Sequence, residues 1–306
     1  MVDISIWKAW IISLRLQTLP LSCCGILLGT TLATTVGVIL DYTVFALTLI
    51  TAISLQLLAN LANDYGDFSK NTDNDTRLGP RRGMQLGLIS PAQMRLALWL
   101  TGVFCLASGS VLLMVACNSG QEVMVFLVLG AVSVAASLAY TLGRYAYGYY
   151  GLGDLSVLLF FGFVAVGGSY YLQVGRLDAD IVIPAIGTGL LSVAVLNVNN
   201  MRDINEDGQH GKITFVVWMG LRCARYYHLS IILAGLVALA WTAWHFSHGE
   251  LALWIFALSL PLFAPHILTV LRSHCPQMLR AQLPVVVRLN VLAVSALALG
   301  LIFDCV

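Results

Sequence analysis

Residues 60–70 read Asn-Leu-Ala-Asn-Asp-Tyr-Gly-Asp-Phe-Ser-Lys, and residues 196–207 read Leu-Asn-Val-Asn-Asn-Met-Arg-Asp-Ile-Asn-Glu-Asp. Each run closes an apolar stretch of roughly twenty residues, the length that crosses a hydrocarbon core. Carboxylates at the edge of such a stretch are costly, so they point to a function. Asn63 and Asn199 lie 136 residues apart, and basic residues follow both runs. The pair suggests one site that faces a divalent metal and a polyanion from two sides.

The rest of the chain sets the frame for these runs. Of its 306 residues, 59% are hydrophobic and 10% charged, where a soluble domain carries about 25% charged residues. Mean hydropathy is +0.86. This composition predicts an all-α integral membrane protein, a single polytopic domain over 1–306, with the lipid bilayer as its surroundings and no nucleic-acid partner. Nine spans are expected, at about 20–39, 44–64, 95–116, 121–141, 151–173, 179–200, 224–246, 250–272 and 284–303. Ile4 to Leu16, carrying Lys8 and Arg15 among Trp7, Trp10 and Ile11, reads as an interfacial helix leading into the first span. The acidic loops, about 63–94 and 199–223, follow spans 2 and 6. That four-helix offset suggests two four-helix repeats with a ninth helix appended.

Fifteen of the sixteen Lys and Arg residues fall on one side of this layout, and Arg176 alone on the other. The positive-inside rule then places the N-terminus and both acidic loops in the cytoplasm and the C-terminus outside. The seven cysteines include no CxxC and read as small apolar packing residues. His228, His245, His248, His266 and His274 show no ligand spacing. His210, in the second acidic loop, reads as a solvated residue.

Asn199, Asp203 and Asp207 are spaced i, i+4, i+8. At about 100° per residue they drift only about 80° over two turns and form one polar stripe, with Asn200 beside it. Mg²⁺ takes hard oxygen ligands and is often held by one or two carboxylates plus substrate phosphates. Lys212 supplies a point charge for phosphate oxygens. The first run repeats the idea: Asn63 and Asp67 are one turn apart, Asp64 adjoins them, and Asp73 lies on a loop that folds back. Lys70, Arg77, Arg81 and Arg82 form a dense basic group suited to a diphosphate. A third element, Tyr140 to Asp154, links spans 4 and 5 with four glycines and the rings of Tyr140, Tyr145, Tyr147, Tyr149 and Tyr150. Such rings can shield a cation or form an interfacial belt; Tyr140 and Tyr149 are the functional candidates.

These stretches, 60–85, 147–154 and 196–214, together with Arg15-Leu-Gln-Thr-Leu-Pro20 ahead of span 1, resemble the UbiA superfamily of intramembrane aromatic prenyltransferases. The sequence departs from that pattern at Arg144-Tyr145-Ala146, where a proline is usual, and at Trp218, where an arginine is common. The resemblance implies a UbiA-like fold and a Mg²⁺-dependent transferase in a bacterial inner membrane. It implies that a polyprenyl diphosphate binds on Mg²⁺ between the loops. The chain is then passed to 1,4-dihydroxy-2-naphthoate with loss of CO₂ and diphosphate, a step of menaquinone biosynthesis. Carried over by motif, Asn63, Asp64, Asp67, Asp73, Asn199, Asp203 and Asp207 hold the metal and diphosphate. Lys212, with Lys70, Arg77, Arg81 and Asn200, contacts the leaving group. The Arg77-Leu-Gly-Pro80 and Gly83-Met-Gln85 pattern resembles the naphthoate type rather than enzymes acting on 4-hydroxybenzoate or haem. A secondary transporter is the alternative of another class, since polar residues also gather at transporter repeat interfaces. A transporter, however, would more often carry its charges near mid-span.

Overall fold

The computed structural model describes residues 5–70, 82–247 and 249–305. Among the described residues the chain is helical with no strand, and nine helices are long and apolar enough to cross a membrane. Helix α1, Ile6–Leu14, ends where Arg15 turns left-handed (φ 50°). One 3₁₀ turn later Pro20 opens α2, Leu19–Thr34. Trp7 on α1 is 77% exposed while Ala9 and Ser13 are buried, as an interfacial helix requires.

Helix α3, Tyr42–Ser69, starts on Asp41, whose carboxylate accepts from the Thr43 and Val44 amides. It runs without interruption through Asn63, Asp64 and Asp67, so the first acidic run is helix rather than loop until Ser69. Helices α4, Pro91–Ala116, and α5, Gly120–Ala139, each open with a capping box, Ser90 with Gln93 and Ser119 with Glu122. Span 5 is α6, Gly153–Val157, a π-helical stretch, Leu158–Gly167, and α7, Gly168–Val174. Helix α8, Val182–Arg202, belongs to the most buried of the nine spans, and α5 is the most exposed. Helix α9, Ile204–Gln209, follows a one-residue break at Asp203. Helix α10, Phe215–Phe246, starts well before the expected Ala224, because Thr214 caps it and Gly220 (φ 76°) kinks it among the charges that masked its start. Span 8 is divided into α11, Leu251–Ala257, and α12, Phe263–Arg272, and α13, Gln282–Asp304, closes the chain.

The spans pack through small residues, as van der Waals association in lipid favours. A Cβ on Gly29 of α2 would stand 2.2 Å from the Val166 carbonyl oxygen, so the backbones of span 1 and span 5 meet there. Around α8, two of the histidines that look scattered in sequence converge. His228 Nε2 of α10 lies 3.0 Å from His266 Nε2 of α12. His228 Nδ1 meets Asn197 of α8 at 3.1 Å, and His266 Nδ1 meets Gln282 of α13 at 2.7 Å. The pair ties four helices together on the side of α8 away from the acidic stripe. All seven cysteines are free thiols.

Candidate functional site

The C-terminal ends of α3 and α8 face each other, and the two acidic runs line one cavity of about 60 Å³ between them. Asn63 and Asp67 form one wall; Asn199, Asn200, Asp203 and Asp207 form the other. The i, i+4 relation survives the break after α8, because the Asp203 amide donates to the Asn199 carbonyl (3.1 Å) and the Asp207 amide to the Asp203 carbonyl (2.9 Å). Asp64 is fully buried 3.9 Å from Arg82 and does not line this cavity. The sequence expectation makes it a metal ligand; in the structure it stands one residue off the Asn63–Asp67 face of the helix. Asp73, Arg77 and Arg81 lie outside the described residues.

Three arginines complete the site, and two of them count in the sequence only toward topology. Arg82 Nη1 donates to Asp67 Oδ2 at 2.9 Å and to the Asn63 carbonyl at 3.1 Å. Arg202 grips Asp203 with Nε (2.6 Å) and Nη2 (2.5 Å), and Nη2 also reaches Asn199 Oδ1 at 2.9 Å. Arg15, held by the left-handed turn after α1, lines the same cavity, as does Glu206. The adjacency of Arg202 to Asp203 and the stop at Arg15 are the only sequence signals for these roles.

Lys212 lines the cavity too. Gly211 (φ 69°) turns the chain back, and Lys212 Nζ meets Asp207 Oδ1 at 3.3 Å with its side chain 12% exposed. Burial alone would lower the Lys212 pKa, but the carboxylates of Asp67 and Asp207 hold it above the usual lysine range, so it stays cationic. Burial pushes Asp207 up to about 6, against the pull of Lys212. Lys70 does not line the cavity. Its Nζ stands 3.9 Å over the Tyr149 ring, and burial lowers its pKa, with Lys212 adding to the effect.

The glycine-rich connection after α5 closes the site from above. Gly66 lets Thr141 lie on α3, since a Cβ there would stand 2.7 Å from the Thr141 side chain. Thr141 Oγ1 accordingly reaches the Ala62 carbonyl (2.9 Å) and Asn63 Oδ1 (3.2 Å). Tyr149 donates to Asp67 Oδ1 at 2.9 Å, and its carbonyl accepts from the Ile213 amide at 3.1 Å. Tyr140 lines the cavity. Tyr145 and Tyr150 are 75% and 62% exposed, so their rings shield nothing inside; the turn at Gly143 and the 3₁₀ segment Tyr147–Tyr150 send them outward.

A second cavity of about 650 Å³ shares Arg15, Asn63, Arg82, Tyr140 and Asn199 with the first. From there it runs between the spans along apolar walls that include Leu113, Phe126, Phe161 and Leu172. The combined shape is that of an amphiphile, with a charged head and a long greasy tail. The head offers hard oxygens from both walls. Asp207 Oδ2 is buried with no hydrogen-bond partner, an orphaned donor atom of the kind that Mg²⁺ takes up. Among the described residues no three His, Cys, Asp or Glu side chains form a closed metal cage.

Residues 22–292 match the UbiA prenyltransferase family. The chain is 46% identical over 281 residues to the 1,4-dihydroxy-2-naphthoate octaprenyltransferase of Escherichia coli (strain K12), covering 92% of this chain and 91% of that protein. It is 40% identical to the Haemophilus influenzae protein of the same name, covering 96% of each. Among solved structures, the apo form of a UbiA homolog from Aeropyrum pernix K1 superposes with a TM-score of 0.71 over 95% of this chain and 99% of that one, at 15% identity. A UbiA homolog from Archaeoglobus fulgidus, bound to DMAPP and Mg²⁺, superposes with a TM-score of 0.56 over 92% of this chain and 98% of that one, at 13% identity. Those two likenesses bear on fold alone; the sequence match over nine-tenths of the chain bears on descent. With two acidic helix ends facing each other over one amphiphile-shaped cavity, this multi-span membrane protein belongs to the UbiA prenyltransferase family.

Proposed function

We propose that this protein transfers a polyprenyl chain from polyprenyl diphosphate to 1,4-dihydroxy-2-naphthoate, releasing CO₂ and diphosphate, as its two named bacterial relatives imply. The observation that carries the reading is the continuity of the charged head and the apolar cavity through Arg15, Asn63, Arg82, Tyr140 and Asn199. A diphosphate fits the head and an isoprenoid tail fits the walls.

In this reading Asn63, Asp67, Asn199, Asp203 and Asp207 hold Mg²⁺, with Asp73 joining from the neighbouring segment. Bound there, the metal supplies Lewis-acid stabilisation of the charge that grows on the departing diphosphate. Lys212, Arg82 and Arg15 face the same oxygens, with Asn200 as a neutral donor, and the sequence motif assigns Arg77 and Arg81 to the same role. Their charges are preorganised, so stabilisation does not wait for solvent to reorient. The allylic C–O bond breaks as its electron pair leaves with the diphosphate, and the face of Tyr140 shields the carbocation that remains. An electron-rich naphthoate carbon supplies the new C–C bond, and the ring carboxylate departs as CO₂. Tyr149 holds Asp67 in place, with Lys70 over its ring. The whole chain, 1–306, acts as one domain in a bacterial inner membrane with the site facing the cytoplasm.

Purified protein with Mg²⁺ and octaprenyl diphosphate, offered 1,4-dihydroxy-2-naphthoate or 4-hydroxybenzoate, tests this directly. Release of CO₂ and a prenylated naphthalenediol is expected. Prenylation of 4-hydroxybenzoate alone would overturn the acceptor assignment.

A further inference from the structure

One polar feature of the large cavity has no part in binding a diphosphate or a tail. Most hydroxyls on its wall turn back onto their own helices: Ser22 to Leu19, Thr48 to Val44, Ser110 to Leu106, Ser137 to Ser133. Their protons are spent on helix carbonyls. Tyr147 and Ser156 differ. They come from separate elements, the 3₁₀ segment and α6, and their oxygens lie 2.9 Å apart on the cavity wall.

The direction of this hydrogen bond can be worked out. Tyr147 has one proton, and its oxygen lies 3.0 Å from the Ala136 carbonyl, which can only accept. Burial raises the Tyr147 pKa, so the phenol keeps that proton. Ser156 must then be the donor to Tyr147. Ser156 Oγ is left with lone pairs open to the cavity. The relay runs from cavity to Ser156, to Tyr147, to the Ala136 carbonyl, and it presents an acceptor.

An isoprenoid tail has no proton to donate, and a diphosphate is itself an acceptor. A phenolic O–H is the matching group. The place is also right. The Tyr147 ring stands edge-on to Tyr140, centroids 5.3 Å apart, and Tyr140 lines both the charged head and the apolar cavity. An aromatic ring lying against Tyr140 is one ring's breadth from the relay. Of the two hydroxyls on 1,4-dihydroxy-2-naphthoate, that at position 1 is tied internally to the neighbouring carboxylate. The 4-hydroxyl is free to donate. We infer that Ser156, backed by Tyr147, is the subsite that receives the 4-hydroxyl of the aromatic acceptor and so selects a 1,4-diol over a mono-hydroxy ring.

This rests on the naphthoate reading above, and the test separates the two. KM for 1,4-dihydroxy-2-naphthoate and for polyprenyl diphosphate is measured in wild type, Ser156→Ala, Ser156→Cys and Tyr147→Phe. The inhibition constant of 1-hydroxy-2-naphthoate, which lacks the 4-hydroxyl, is measured alongside. Ser156→Ala should raise KM for the diol about tenfold, the loss of one neutral hydrogen bond. It should leave the other two constants within about twofold. Tyr147→Phe should do the same more weakly, since it frees the serine to rotate, and Ser156→Cys guards against a folding defect. Equal weakening of diol and mono-ol, a shift in the prenyl diphosphate KM, or no change at all would overturn the subsite while the functional reading stands. A wild type that turns over no naphthalenediol overturns both.

Discussion

The Tyr149 hydroxyl donates to Asp67 Oδ1 at 2.9 Å, across 82 residues of chain. The connection between spans 4 and 5 thus holds the first acidic run by a charge-assisted hydrogen bond, while the same ring carries Lys70 over its face at 3.9 Å. Two effects of one side chain can be separated. Tyr149→Phe keeps the ring and removes the donor; kcat should fall about tenfold, from the loss of a hydrogen bond to a charged group. Tyr149→Leu removes both and should fall further. Equal activity in wild type and Tyr149→Phe would show that the hydroxyl is idle.

Asp67 and Arg82 are both buried and paired at 2.9 Å. Removing one partner of such a pair leaves an uncompensated charge and is strongly destabilising. Asp67→Asn should therefore lower the melting temperature as well as nearly abolish turnover. Adding Arg82→Gln should restore much of the stability and none of the activity. Recovery of activity in the double variant would remove Asp67 from the catalytic machinery.

Asp203 is gripped by Arg202 in the same way. Asp203→Asn should lower kcat by several orders of magnitude, on the scale of about 4 kcal/mol or more for a lost charge-stabilising group, with the protein still inserted in the membrane. Steady-state turnover against the Mg²⁺ concentration is the check. Activity within a few-fold of wild type at saturating Mg²⁺ would exclude the metal role.

Lys212 meets Asp207 at 3.3 Å and acts on charge that grows as the C–O bond breaks. Lys212→Ala should lower kcat clearly and move KM for the prenyl diphosphate less. Lys212→Arg should recover only part, because a planar fork does not replace a point charge. An unchanged kcat in both would leave Lys212 as a topology signal only.

Gly66 lies under Thr141 with no room for a Cβ. Gly66→Ala should cost about 1–3 kcal/mol by overpacking and should lower kcat by lifting Thr141 from Asn63. A melting temperature and kcat both equal to wild type would contradict the close approach seen here.

Hydropathy and the two acidic runs determine the nine spans, the helical class, and Asn63, Asp67, Asn199, Asp203, Asp207 and Lys212 as candidates. The reason is local: period 3.6 and the cost of charge in hydrocarbon act on neighbours in sequence, so they are legible there. The start of α10 is the exception, since Gly220 kinks a helix that hydropathy alone would begin later. The tertiary structure alone decides which runs of side chains meet. Arg15 and Arg202 count in the sequence as cytoplasmic charge, and Arg82 as one of a basic group; only the fold lines all three along the two cavities and sets Arg82 on Asp67, fifteen residues away. Asp64 carries the same chemistry as Asp67, yet its place one residue off the helix face turns it away from the cavity. His228 and His266, 38 residues apart, become a contact at 3.0 Å, and the Tyr147 hydroxyl reaches back to Ala136 of α5 and forward to Ser156 of α6. Such pairings depend on how closely rigid helices and their connections approach, which is set by small residues such as Gly29, against span 5, and Gly66, under Thr141, and not by any pattern along the chain.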